Sequence, residues 1–328
     1  MNQLYVGIDL GGTNIKLGCF DENMDILYKD NVPTNVGDGP DSIVDRIARA
    51  VEDMLAFHNL DTRLITALGI GSPGLIDAEN GIVVTTANMG LKNFPLRDLL
   101  SQRLHCPVVL ENDANIACWA ERVAGAGAGC DNMLLLALGT GVGGGIVSDG
   151  ELVHGWANKA GELGHIVVYP DGRRCGCGQN GCVEAYSSAN STAARALEQI
   201  QQGRDSTLEY LYQLNGKITA KDVFNHASKG DPLAIEVTDL TAKALAILCV
   251  GLFHFTGPEK IVFFGGMTKA GDLLLDPIKR HFDEQYWTID NEKPELCLGM
   301  LGNDAGIIGS AALAQHCLNC GKFIAIAS

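Results

Sequence analysis

Leu4-Tyr5-Val6-Gly7-Ile8-Asp9-Leu10-Gly11-Gly12-Thr13-Asn14-Ile15-Lys16-Leu17-Gly18-Cys19-Phe20 reads as an apolar strand, a glycine turn and a second strand. The pattern returns later: Met133-Leu134-Leu135-Leu136-Ala137-Leu138 runs into Gly139-Thr140-Gly141-Val142-Gly143-Gly144-Gly145, and a further strand is expected over 146–148. A glycine-rich turn after a strand lets backbone N–H groups approach phosphate oxygens, and Thr13 and Thr140 add hydroxyl donors. Asp9 is placed to hold Mg²⁺ through water. Neither turn is a Walker loop or a dinucleotide fingerprint: no Gly-Lys-Ser/Thr follows, and the first turn runs strand to strand rather than strand to helix. One Gly-Gly turn alone makes an ordinary hairpin. Two of them, opening two halves of the chain alike, predict nucleotide binding and duplication of one α/β unit.

Outward from these turns, a helix is expected over 42–57, with Ile43, Ile47, Val51, Met54 and Leu55 on one face and a Ser42-x-x-Asp45 capping pattern at its start. Strands are expected over 67–71 and 107–110, and a new lobe near Asp113. A third glycine signal follows the apolar strand 260–264: Gly265-Gly266 is expected to open a helix and to offer a seat for adenosine. The Ala-rich segment 304–317 reads as a helix that crosses back over the first lobe. The expected division is therefore 1–111 plus about 304–328 in a small α/β lobe, and 112–303 in a larger one.

A chain of 328 residues, 46% hydrophobic and with 40 glycines, suffices for two α/β lobes with tight strand-to-helix turns. Against 39 acidic residues stand 24 basic ones, a net charge of −15 that disfavours nucleic acid or an anionic membrane as partner. The charge-free stretch 244–258 is broken by Gly251, His254 and Pro258 and is too short to cross a bilayer. The first ten residues lack a basic start and read as a buried strand rather than a signal peptide, so a cytoplasmic protein with reduced thiols is expected.

Chemistry concentrates in two places. Glu162-Leu163-Gly164-His165 and Cys175-Gly176-Cys177-Gly178-Gln179-Asn180-Gly181-Cys182-Val183-Glu184 set one histidine and three cysteines at metal-ligand spacing between two acidic residues. His165, Cys175, Cys177 and Cys182 suit a closed, structural zinc site, while Glu162 and Glu184 line a polar substrate pocket beside it. Other cysteines, such as Cys19, Cys106 and Cys249, read as small core residues. The second place is Val108-Val109-Leu110-Glu111-Asn112-Asp113-Ala114-Asn115, where polar residues follow a buried strand. Phosphoryl transfer to a hydroxyl needs a carboxylate to orient the nucleophile and take its proton, and Asp113 is the candidate base. Asn112 would bind a substrate hydroxyl; the plainer alternative is an Asn-Asp pair that caps the following helix.

Taken together, Asp9-x-Gly11-Gly12-Thr13, Glu111-Asn112-Asp113, Gly139-Thr140-Gly141, Glu162-x-Gly164-His165 and Cys175-x-Cys177-Gly178-x-x-Gly181-Cys182-x-Glu184 resemble the ROK family of bacterial sugar kinases and repressors, in order, from about Val6 to Gly309. The resemblance implies a two-lobed α/β fold of the actin-like ATPase, ribonuclease H-like type, whose interlobe cleft takes ATP and a hexose. It implies Asp113 as catalytic base, and Asn112, Glu162, His165 and Glu184 on sugar hydroxyls, with His165 also ligating zinc beside Cys175, Cys177 and Cys182. Gly69-x-x-x-Pro73-Gly74 resembles the family's sugar-side loop, with Gly74 bringing backbone against the ring. ATP and Mg²⁺ contacts are expected from Asp9, Gly11, Gly12, Thr13, Gly139, Thr140, Gly141, Gly143, Gly144, Gly265 and Gly266. A homodimer or homotetramer is suggested.

The expected activity is transfer of the ATP γ-phosphoryl group to a hexose hydroxyl, O6 of glucose being first choice. Met89-Gly90-Leu91 stands where many family glucokinases show Pro-Gly-Trp, which keeps N-acetylmannosamine, N-acetylglucosamine, fructose and allose as alternatives. Repressors of this kind carry a DNA-binding segment ahead of the first glycine turn; Asp9 is eight residues from Met1, and a repressor or non-catalytic sugar sensor is the remote reading.

Overall fold

The computed structural model describes residues 3–287 and 292–322. The chain divides into two compact units: Met1–Ala128 with His154–Lys159 and Leu301–Ser328, and Gly129–Val153 with Ala160–Met300.

In the first unit, β1 (Leu4–Leu10) turns back into β2 (Asn14–Phe20), which pairs with β3 (Ile26–Pro33) at an exposed edge. Helix α1 (Pro40–Phe57) follows, and β4 (Ile65–Ser72) runs parallel to β1. A small antiparallel sheet of β5 (Leu75–Asp77), β6 (Ile82–Thr85) and β7 (Lys92–Phe94) leads to α2 (Leu96–Leu104), then to β8 (Val108–Asn112) parallel to β4, and to α3 (Asp113–Ala124). The main sheet has the order β3-β2-β1-β4-β8. All five apolar residues expected on one face of α1 are buried. Its start differs from expectation. Gly39 is the N-cap, Pro40 fills the first turn where an N–H is dispensable, and the Ser42 hydroxyl donates to the Gly39 carbonyl at 2.7 Å instead of capping.

In the second unit, β9 (Met133–Leu138), β10 (Val142–Ser148) and β11 (Glu151–Leu152) form an antiparallel meander. Five helices follow: α4 (Glu184–Ser187), α5 (Ala189–Gln201), α6 (Leu208–Asn215), α7 (Ala220–Ala227) and α8 (Pro232–Thr256). The chain re-enters the sheet as β12 (Lys260–Phe264), then forms α9 (Asp272–Gln285) and β13 (Glu295–Leu298), giving the order β11-β10-β9-β12-β13. Each sheet thus joins two antiparallel pairings to two parallel ones around the strand that opens it. The two glycine turns connect equivalent strands of equivalent sheets.

Two expectations change here. Gly143 and Gly144 belong to β10, paired with Ala137 and Leu136, rather than to the turn, and Gly144 leaves room for Leu163, whose Cδ1 lies 2.5 Å from where a Cβ would sit. Gly265-Gly266 does not open the long helix directly. Gly265 turns at φ +99°, a short 3₁₀ segment Gly266–Ala270 follows, and only then does α9 begin.

Helix α10 (Ala305–Asn319) returns to the first unit and packs on β1, β4 and α3. The helix sits directly on the strands: a Cβ on Gly7 would lie 1.9 Å from the Ile307 carbonyl oxygen, and one on Gly69 1.9 Å from that of Ser310. The Ser310 hydroxyl donates to the Ile8 carbonyl at 2.9 Å. Because α3 packs on α10, it stays with the first unit, which continues to Ala128 past the boundary expected at 111. Among the described residues, no helix is long and apolar enough to cross a membrane.

Candidate active site

The parallel strands β1, β4 and β8 end side by side, with Asp9 opposite Gly71 and Gly71 opposite Glu111, so the polar residues that follow collect along one sheet edge. In the first turn Gly11 N–H donates to the Asn14 carbonyl at 2.9 Å, and Thr34 donates twice around it, its N–H to the Thr13 carbonyl at 2.8 Å and its hydroxyl to the Gly11 carbonyl at 2.6 Å. The N–H groups of Gly12 and Thr13 and the Thr13 hydroxyl have no protein partner among the described residues. Backbone donors left open in this way await a ligand or water. Asp9 accepts from Lys16 Nζ at 3.1 Å, a cation that nothing in the local sequence pattern marks as part of the site.

At the end of β8, Asn112 is the N-cap of α3. Its Oδ1 accepts from Ala114 N–H at 2.8 Å and Asn115 N–H at 3.3 Å, and its Nδ2 donates to the Gly74 carbonyl at 3.1 Å. The capping alternative is therefore what the geometry displays, and one amide hydrogen remains for a substrate. Gly74 turns at φ +100°, and a Cβ there would lie 2.2 Å from the Thr85 carbonyl, so its own fold requires glycine. Asp113 is open to solvent, yet protein atoms crowd it. Burial raises its carboxyl from 3.8 to about 6, the negative charge of Asp9 adds to the rise, and hydrogen bonds from Ala114 N–H and Asn112 oppose it.

Behind these residues lies a group the sequence reading did not assign. Glu111, 3% exposed, accepts from Asn112 N–H at 2.8 Å and Asn115 Nδ2 at 2.9 Å, and its other oxygen meets His154 Nε2 at 2.6 Å. A carboxylate at the end of an apolar strand needs such partners, which was a usable signal for Glu111; nothing local marks His154.

In the second unit, ligand atoms of His165, Cys175, Cys177 and Cys182 all lie within 4.8 Å of one another. Cys177 Sγ and Cys182 Sγ are 3.7 Å apart, and Cys175 Sγ is 3.8 Å from His165 Nδ1. A tetrahedron with metal–sulfur bonds of about 2.3 Å has edges of about 3.8 Å, so the donor set and spacing fit a thiolate-rich tetrahedral ion. Burial pushes the Cys175 thiol up to about 12 and raises Cys182, whereas the Gln179 N–H lowers Cys177.

Around this cluster, Glu162 is exposed and its carboxylate has no protein partner among the described residues. Glu184 Oε2 accepts from Val142 N–H at 2.9 Å. The second turn repeats the first: Gly139 N–H donates to the Gly141 carbonyl at 3.0 Å, while the N–H groups of Thr140 and Gly141 and the Thr140 hydroxyl have no protein partner among the described residues. Gly265 lies against this turn, since a Cβ there would be 2.7 Å from the Leu138 carbonyl.

The sequence is 42% identical over 313 residues to a glucokinase of Halalkalibacterium halodurans, 95% of each chain being covered. The structure is similar to a ROK hexokinase from Thermus thermophilus, with a TM-score of 0.83, 31% identity, and 97% of this chain and 100% of that chain covered. It is also similar to a ROK family glucokinase from Streptomyces griseus solved with glucose and AMPPNP, with a TM-score of 0.77, 34% identity, and coverage of 95% and 99%. The paired sheets and their glycine turns are those of the two-lobed actin-like ATPase fold. With the ROK family model matching residues 5–317, across both turns and the histidine–cysteine cluster, the chain belongs to the ROK family.

Proposed function

We propose that this chain is an ATP-dependent glucokinase that transfers the γ-phosphoryl group of ATP to O6 of glucose. The observation that carries the reading is the seat of Asp113, a solvent-reachable carboxyl raised to about 6 on the same sheet edge as a turn with open N–H donors. Such a group is charged at neutral pH and basic enough to accept a hydroxyl proton. Asp113 orients the sugar hydroxyl and takes its proton as the new O–P bond forms. The open N–H groups of Gly12, Thr13, Thr140 and Gly141 hold phosphate oxygens where negative charge builds up, and Gly265-Gly266 border the adenosine. Mg²⁺, when bound, would neutralise phosphate charge, and Asp9, two residues ahead of the first turn, is the carboxylate that would hold it through water.

Sugar hydroxyls are assigned to the remaining Asn112 amide hydrogen, the Glu162 carboxylate, His165 Nε2 and Glu184 Oε1. The metal is assigned as Zn²⁺, structural because four protein ligands complete its shell. Glucose is favoured by the likeness to glucokinases. Met89 and Leu91, the departure from the Pro-Gly-Trp pattern, are buried in the first-unit core, so their side chains argue for no change of sugar. The family likeness favours a homodimer or homotetramer, and eleven free cysteines suit the cytoplasm.

The test is ADP release with a panel of glucose, N-acetylmannosamine, N-acetylglucosamine, fructose and allose. Glucose is expected to give the highest kcat/KM. Preference for an N-acetyl sugar would move the specificity, and no sugar-dependent release with any hexose would sink the kinase reading.

A further inference from the structure

Val142, the first residue after the second glycine turn, is held at both of its peptide groups by segments that carry the metal-ligand residues. Its N–H donates to Glu184 Oε2 at 2.9 Å, and Glu184 stands two positions after Cys182. Its carbonyl is covered by Gly164, the neighbour of His165, where a Cβ would lie 1.9 Å from the oxygen. The contact is tight at the turn as well: a Cβ on Gly141 would lie 2.5 Å from Glu184 Oε2. The other end of the turn is tied down by the same stretch of chain, since Ala189 N–H donates to the Gly139 carbonyl at 2.8 Å.

Glu184 is in turn fixed by the cysteine loop. Val183 N–H donates to the Ile166 carbonyl at 3.0 Å, and Ala185 N–H to the Cys182 carbonyl at 3.0 Å. An ion that cross-links His165, Cys175, Cys177 and Cys182 therefore restrains both segments that grip Val142. Ordering a turn before its ligand arrives lowers the entropic cost of binding.

Resting on the kinase reading, we infer that Glu184 is a positioning residue for the nucleotide: through its bond to Val142 N–H it sets the second phosphate turn, and metal occupancy controls nucleotide affinity through it. One carboxylate then serves both substrates, with Oε1 toward the sugar and Oε2 on the turn. A residue that bound only sugar would leave nucleotide affinity unchanged when no sugar is present.

The experiment measures Mg²⁺–AMPPNP affinity by calorimetry without hexose, alongside metal content, for the wild type, for chelator-stripped wild type, and for Glu184→Ala and Glu184→Gln. Loss of the bond is expected to weaken AMPPNP about tenfold in Glu184→Ala, while Glu184→Gln, which keeps an acceptor, stays within about threefold of wild type. Stripping the metal is expected to weaken the wild type several-fold and to add little in Glu184→Ala, because both act on one contact. Amide exchange of Val142 should quicken in Glu184→Ala. Wild-type AMPPNP affinity in both Glu184→Ala and the stripped protein overturns the inference while leaving the kinase reading in place. A wild type that holds metal yet binds no AMPPNP overturns the kinase reading and this inference with it.

Discussion

His154 Nε2 and Glu111 Oε2 lie 2.6 Å apart, joining residues 43 positions distant in the chain. The pair anchors the excursion His154–Lys159 to the first unit, directly behind the turn that presents Asn112 and Asp113. His154→Ala removes one partner of a buried carboxylate, and urea unfolding should show a loss of about 2–3 kcal/mol. A loss under about 0.5 kcal/mol would mean that the Asn112 and Asn115 donors alone satisfy Glu111.

Asp113 gives opposite signs for activity and stability. As the base it must be charged, so kcat should rise with pH through about 6 and level off above it, and Asp113→Asn should lower kcat by roughly 10²–10⁴-fold. For stability, the folded carboxyl holds its proton up to about 6 while the unfolded one releases it near 3.8, so the folded state loses stability as pH rises between these values. Discounted for solvent screening at an exposed side chain, Asp113→Asn should be up to about 1 kcal/mol more stable than wild type at pH 7 and equal to it at pH 3. An Asp113→Asn enzyme with near-normal kcat would remove the residue from the mechanism.

Wild-type protein purified without chelator should carry about one zinc per chain by elemental analysis, and Cys177→Ser almost none. Glucose affinity should fall with the metal, because Glu162, His165 and Glu184 sit on the segments it cross-links. Normal metal content in Cys177→Ser would exclude that residue as a ligand.

Gly69 belongs to the motif that resembles a sugar-side loop, but its surroundings assign it to packing beneath α10. Gly69→Ala should cost about 3 kcal/mol in denaturant titration, since neither backbone yields easily. KM for glucose should stay unchanged in the protein that remains folded; a raised KM with full stability would restore the sugar-side assignment.

What the sequence made legible was local. The turns at Gly11–Gly12 and Gly139–Gly141, the spacing of Cys175, Cys177 and Cys182, and the apolar stripe of α1 each lie within one turn or one helix face, where a few neighbouring residues decide the conformation. Other features depended on distant partners. β3 was not anticipated, because at the sheet edge it exposes most of its residues and lacks clean alternation. Glycine gives no strand signal, so Gly143 and Gly144 look like turn in the sequence, and only the pairing with Ala137 and Leu136 places them in β10. For Asn112 the sequence leaves substrate binding and helix capping side by side, and only the helix in place displays the cap bonds. Nothing near His154 in sequence points to Glu111.

The seating of α10 on the bare backbone of Gly7 and Gly69 also bears on how the chain is made. The helix that covers β1 is synthesised about 300 residues after it, a wait of roughly 15–60 s at ordinary elongation rates. For that interval the first sheet has one face uncovered, while the second unit, nearly continuous in sequence, can complete its own core. A ribosome stalled before residue 305 would therefore hold this sheet open.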